Sequence, residues 1–146
     1  MLPICDENMV TDPILTGKIC PYCGKESELI DSAEIYGKSY GSMYICRSCN
    51  AYVGCYSGTT TALGRLADAD LRKAKRKAHH YLDQLWKSKR HQRYGTYTWL
   101  SKQLGIPREL THVGMSDLEQ CGKIAEICRD RLIQEGIDFV PWQEDE

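Results

Sequence analysis

The sequence predicts an α+β protein in which an N-terminal four-cysteine zinc ribbon, a small antiparallel sheet, precedes a helical region of about three helices. Three observations carry that expectation. Two C-x-x-C pairs, Cys20-Pro21-Tyr22-Cys23 and Cys46-Arg47-Ser48-Cys49, stand 22 residues apart. β-favouring residues occupy the stretch between them and just after the second. Past Asp68 the apolar spacing changes from that of a strand to that of a helix.

Each C-x-x-C lets a tight turn bring two thiolates onto one ion while backbone amides point at the sulfurs, and two such knuckles complete a tetrahedron. Gly24 and Asn50 each follow the second cysteine of a pair, where the knuckle needs a residue that tolerates positive φ. The expected ligands of one structural Zn2+ are therefore Cys20, Cys23, Cys46 and Cys49. Iron takes the same ligand set. The separation is slightly longer than usual for paired zinc knuckles, but extra loop residues add little closure entropy. A thioredoxin-like site needs one pair opening a helix after a strand, whereas here there are two pairs, and Pro21 and Gly24 bracket a turn.

At 146 residues the chain is of one-domain size and long enough to bury roughly two-thirds of its unfolded surface. Its start, Met-Leu-Pro-Ile-Cys-Asp-Glu, has neither a basic nor an apolar leader region, and no apolar run is long enough to span a bilayer. A cytoplasmic location without a membrane partner is expected. In that reducing setting the eight cysteines are ligands and packing residues, not a disulfide framework.

Taken in order, residues 1–16 contain Pro3 and Pro13 without periodicity and are expected as a flexible arm, in which Cys5 is a lone thiol. The ribbon spans 17–56. An extended segment is expected over Glu28–Tyr36, a turn over Gly37–Gly41, a strand over Ser42–Ile45, and a third over Ala51–Tyr56 with Cys55 as a packing residue. Residues 57–67 lack the G-K-[ST] ending of a phosphate loop and are expected as an ordered connector. The helical region spans 68–136. Its first helix starts with Asp68 as N-cap and carries the stripe Leu71, Ala74, Ala78, Tyr81, Leu82, Leu85 and Trp86. A second runs from Gln92 to Leu104 with Tyr94, Tyr97, Leu100 and Leu104 on one side, and Gly105 stops it. The third opens on the capping-box pattern Ser116-Asp117-Leu118-Glu119 and carries Leu118, Cys121, Ala125, Cys128 and Leu132, so both cysteines are expected in the core. Residues 137–146 form an acidic tail with a frayed end from Gln143.

The net charge of −1 conceals an asymmetry: residues 65–93 carry ten Lys/Arg against three Asp, and residues 117–146 carry nine Asp/Glu against three Lys/Arg. Arg72, Lys73, Lys75, Arg76 and Lys77 crowd the first half of a helix, where cations oppose the helix dipole. Such charge reads as a face for an anionic partner or as two halves that attract each other.

Cys20-Pro-Tyr-Cys-Gly24, Tyr44-Ile-Cys-Arg-Ser-Cys49, Ala51-Tyr-Val-Gly-Cys55, Leu63-Gly-Arg-Leu-Ala67, Leu85-Trp86, Tyr97-Thr-Trp-Leu100 and His112-Val-Gly-Met115 together resemble the zinc-finger-containing domain family of bacteriophages and bacterial prophages. The likeness runs over about residues 18 to 132, and Tyr56 departs from the His often found there. It implies a ribbon followed by helices in a bacterial host cell and supplies no activity, substrate or catalytic residue.

Three function classes remain. A nucleic-acid-binding accessory module would place Arg72, Lys73, Lys75, Arg76, Lys77, Arg90 and Arg93 against the phosphates of DNA or RNA, although the whole-chain pI of about 6.4 is low for a dedicated binder. An adaptor would use a structural zinc to display surfaces to a phage or host protein. A hydrolytic enzyme is the least supported class: His79 and His80 are adjacent and diverge by about 100° on a helix, leaving His112, Asp83 and Asp117 to complete any site. A four-thiolate zinc is also coordinatively closed. His112, in a Thr-His-Val-Gly-Met loop, is read as packing or capping that loop.

Overall fold

A computed structural model describes residues 12–88 and 92–143, which fall into two units, Met1–Asp70 and Leu71–Glu146. In the first, β1 (Glu28–Asp31), β2 (Ser42–Cys46) and β3 (Ala51–Gly54) form an antiparallel sheet in that order. Leu29 faces Tyr44, which faces Val53, while Ile30 pairs with Met43 and Ile45 with Tyr52. Because side chains alternate along a strand, this register gives the sheet two apolar faces. Ile30, Met43 and Ile45 cluster with Tyr52 on one. On the other, Cys46, Ala51 and Val53 gather with Cys20 and Leu66.

The edge of β3 is covered by the chain itself. Tyr52 and Ala67 exchange backbone bonds of 3.1 and 3.0 Å, Leu63 donates to the Gly54 carbonyl at 2.9 Å, and Leu66 between them is fully buried. The connector expected over 57–67 is thus ordered by pairing, which removes an exposed strand edge. Gly17 fits against it at φ +79°, where an added Cβ would lie 2.9 Å from that of Ala62.

The extended segment expected over Glu28–Tyr36 is corrected. The strand stops at Asp31, and Ala33–Tyr36 form one helical turn, α1. Asp31 Oδ1 accepts from the Ala33 N–H at 2.8 Å, the Ser32 hydroxyl from the Tyr40 N–H at 2.7 Å, and Gly37 ends the turn at φ +75°. Side-chain acceptors here outcompete the ladder. Of the arm expected over 1–16, residues 1–11, with Cys5, lie outside the described residues. Residues 12–16 belong to a closed turn in which Thr16 and Lys18 donate to Asp12 and Pro13 carbonyls.

The second unit's helices are α2 (Ala69–Lys87, its first two residues belonging to the first unit), α3 (Arg93–Leu104) and α4 (Leu118–Gln134), with 3-10 turns at Arg108–Leu110 and Val113–Met115. Leu71, Ala78, Tyr81, Leu82 and Leu85 of α2 are buried, as are Tyr97 and Leu100 of α3 and Cys121, Ile124, Ala125, Cys128 and Leu132 of α4. Two side chains expected on the apolar stripes lie outside: Tyr94 is 67% exposed and Leu118 55%. The α4 cap is shifted by one residue, since Asp117 accepts from Gln120 N–H at 2.9 Å while the Gln120 side chain reaches Ser116 Oγ at 2.8 Å. Among the described residues no helix is long and apolar enough to cross a membrane.

Residues 137–142, in the span expected as an acidic tail, are held against α2. Val140 N–H donates to Gln84 Oε1 at 2.8 Å, Gln84 Nε2 returns a 3.1 Å bond to the Val140 carbonyl, and Trp142 N–H donates to the Tyr81 hydroxyl at 2.9 Å. Residues 144–146 of the expected frayed end lie outside the described residues.

Cys121 and Cys128 have no exposed surface and lie on the apolar stripe of α4, so their contribution is volume. Cys121→Ala and Cys128→Ala are each expected to cost about 1 to 2 kcal/mol of stability in urea unfolding and to leave metal content unchanged. Loss of metal in either variant would show that the thiol belongs to the metal site.

Candidate metal centre

The sheet positions the second knuckle, and an isolated bridge closes the first. In the first, Ile19 bridges Glu26, Cys20 N–H donates to the Lys25 carbonyl at 2.8 Å, and Gly24 N–H returns to the Cys20 carbonyl at 2.9 Å. Gly24 sits at φ +79°. The Tyr22 amide points at Cys20 Sγ, 3.4 Å away, as expected where backbone dipoles stabilise a thiolate. The second knuckle joins β2 to β3: Cys46 pairs with Ala51, and the turn between them closes through Asn50 at φ +51°, the one described non-glycine residue with positive φ. Arg47 within that turn bonds Glu28 on β1 and Glu34 on α1, each at 3.0 Å. That guanidinium holds the Glu28 carboxyl below its ordinary pKa.

The sulfurs of Cys20, Cys23, Cys46 and Cys49 lie within 4.8 Å of one another, and Cys23 and Cys46 are 3.6 Å apart. A tetrahedral ion with metal–sulfur bonds of about 2.3 Å requires sulfurs roughly 3.8 Å apart, so the cluster has the right dimensions. Cys20 and Cys46 are buried, Cys49 is half-buried and Cys23 is exposed. Burial pushes the Cys20 thiol up and the Cys49 thiol up to about 12, with the neighbouring sulfurs adding to both, whereas the Lys25 N–H draws Cys23 down. Thiols crowded in this way ionise together only when a cation shares them.

The residues therefore fit a metal. Four thiolates close the coordination shell, so the ion would supply structural cross-linking and leave no position open for water. Among the described residues this is the one group of three or more His, Cys, Asp or Glu side chains whose ligand atoms converge. Cys55, Cys121 and Cys128 stand outside it.

The basic residues are distributed around α2. Lys73 and Arg76 are exposed, Arg72, Lys75 and Lys77 half-buried, and Arg90 lies outside the described residues. Lys75 Nζ donates to the Gly114 carbonyl at 3.1 Å. Lys77 lines a cleft of about 280 Å³ with Tyr81, Glu126 and Arg129, while exposed Arg93 lies over Trp86 and Tyr97 at 5.6 and 5.3 Å. Three acidic residues pair within or just past α4: Glu119 with Lys123, Asp130 with Arg129, Glu135 with Arg131.

Each histidine singled out in the sequence has its own surroundings. His79 faces Asp83 at 3.7 Å, and His80 Nε2 donates to the Val140 carbonyl at 2.5 Å. His112 packs on Tyr97, ring centroids 5.5 Å apart, and its backbone carbonyl accepts from Met115 N–H at 3.0 Å and Ser116 Oγ at 3.1 Å. Burial, with Arg108 and Arg93 nearby, lowers its pKa and favours the neutral ring. Sequence reasoning missed Gln84, Val140 and Trp142, which come together against His80. The available signal was Phe139-Val-Pro-Trp142, an apolar run inside an acidic tail.

A sheet that presents two C-x-x-C knuckles to one point, followed by helices, defines a small α+β protein of the four-cysteine ribbon class. The chain belongs to the zinc-finger-containing domain family, whose model matches residues 16–131. No curated protein and no solved structure matches it.

Proposed function

We propose that the four-cysteine centre holds one zinc ion in a structural role, and that the chain is a nucleic-acid-binding accessory module acting in the cytoplasm of a bacterial host, in the phage or prophage setting the family resemblance implies. Zinc is the ion that favours a closed tetrahedral four-thiolate shell without redox chemistry. The observation that carries the binding reading is the separation of charge. Glu119, Asp130 and Glu135 pair with Lys123, Arg129 and Arg131 of their own segment, and the exposed Arg76 on α2 makes no hydrogen bond or ion pair with any described residue.

If cations of α2 meet phosphates, affinity falls with salt at a log–log slope of about −0.7 to −0.9 per contact, giving roughly −3 to −4 for four or five contacts. Lys73→Glu with Arg76→Glu, both at exposed positions one turn apart, is expected to flatten that slope by about two contacts while circular dichroism stays unchanged. Electrophoretic shifts with single- and double-stranded DNA and RNA at about 50 and 200 mM salt measure it. Absence of any shift at the lower salt overturns this reading.

One observation favours an adaptor instead. On the ribbon Tyr36 and Tyr40 are 54% and 71% exposed and stack edge to face at 5.9 Å, with Tyr52 at 6.4 Å from Tyr36. Exposed aromatic clusters are common at protein interfaces. An absent oligonucleotide shift would leave this reading standing.

A further inference from the structure

The second unit contains an open groove of about 610 Å³ along α2, walled on its far side by Val140 and Trp142. Its volume falls in the roughly 300–1,000 Å³ range of small-ligand clefts. The wall is fixed in place by the reciprocal Gln84–Val140 bonds and by His80. The Trp142 ring meets His80 edge to face at 5.5 Å, and its indole Nε1 is buried with no acceptor. Arg76 and Lys87 border the same groove. Among the described residues its one carboxylate, Asp83, is engaged by the Trp86 indole at 3.1 Å and by His79 at 3.7 Å. The groove therefore offers a partly exposed aromatic side chain, Trp142, and a cation, Arg76, that no described acid pairs with.

We propose that this groove takes a nucleotide of a single-stranded nucleic acid, its base against Trp142 and its phosphates toward Arg76 and Lys87. The proposal rests on the nucleic-acid reading above and adds strand class and site. Every base has a π-face, so stacking on an aromatic ring tolerates sequence but needs an unpaired base. In a duplex those faces are covered, and only the phosphates would reach the groove's edge. The second strand's bulk would also keep the backbone from following the wall.

Fluorescence anisotropy of the full chain with labelled oligothymidylate, and with a duplex of equal length, tests it. Oligothymidylate is expected to bind more tightly than the duplex. Trp142→Ala should weaken single-strand binding by about tenfold with the salt slope unchanged, Trp142→Phe should retain most of the affinity, and Arg76→Glu should flatten the slope by about one contact. Oligothymidylate should also quench tryptophan emission of the wild-type chain more than that of Trp142→Phe. This comparison decides the matter if Trp142→Ala fails to fold by circular dichroism. Equal binding of duplex and single strand, an undiminished folded Trp142→Ala variant, or equal quenching in Trp142→Phe overturns the groove assignment while leaving nucleic-acid binding intact. Binding of no oligonucleotide at about 50 mM salt overturns both.

Discussion

Cys46→Ser is expected to release the metal and unfold the ribbon. Cys46 is 5% exposed, ends β2, and places its sulfur 3.6 Å from that of Cys23. A serine hydroxyl does not ionise near neutral pH and is a poor ligand for an ion that prefers thiolates. The apolar cluster around it comprises only Cys20, Cys46, Ala51, Val53 and Leu66, with partly buried neighbours. A structural zinc contributes on the order of 10 kcal/mol to folding in such modules, more than so small a cluster supplies. Metal per chain should fall well below one, and amide resonances of the ribbon should collapse toward random-coil positions. Full metal retention in a folded Cys46→Ser variant would remove Cys46 from the ligand set.

Leu82→Ala should be the most damaging single truncation in the helical unit. Leu82 has no exposed surface and sits mid-way along α2, among Ala78, Tyr81 and Leu85 on the buried face. Removing its isobutyl group loses the transfer free energy and leaves a cavity that the neighbouring helix turns fill only in part, a cost of about 2 to 5 kcal/mol. Urea unfolding followed at 222 nm should show the midpoint shifting down by that amount, with metal content unchanged. A loss below about 1 kcal/mol would mean that the side chain is not part of a packed core.

What could be read from the residues was what local chemistry determines. The two knuckles follow from cysteine spacing and from Gly24 and Asn50, both of which take positive φ, and α3 ends at Gly105 with its left-handed cap. Sequence reasoning went wrong where a few side-chain hydrogen bonds or a distant partner decided the outcome. Ala33–Tyr36 is a single turn, too short for periodicity, and is set by Asp31 and Ser32. Tyr94 has helical spacing for a core residue yet lies outward under the Arg108 guanidinium, 3.9 Å from its ring centroid. Val140 and Trp142 reach Gln84 and Tyr81 from 56 and 61 residues away, a pairing that no short window of sequence contains. For the metal site, local pattern sufficed because both halves are short-range motifs.

Native mass spectrometry of the intact chain tests the central claim most directly. The chain should carry the mass of one zinc ion with displaced protons, lose it in acid or chelator, and show no bound metal when Cys20, Cys23, Cys46 and Cys49 are all replaced by serine. A chain that carries no metal as isolated, or that keeps it after those four replacements, would contradict the account.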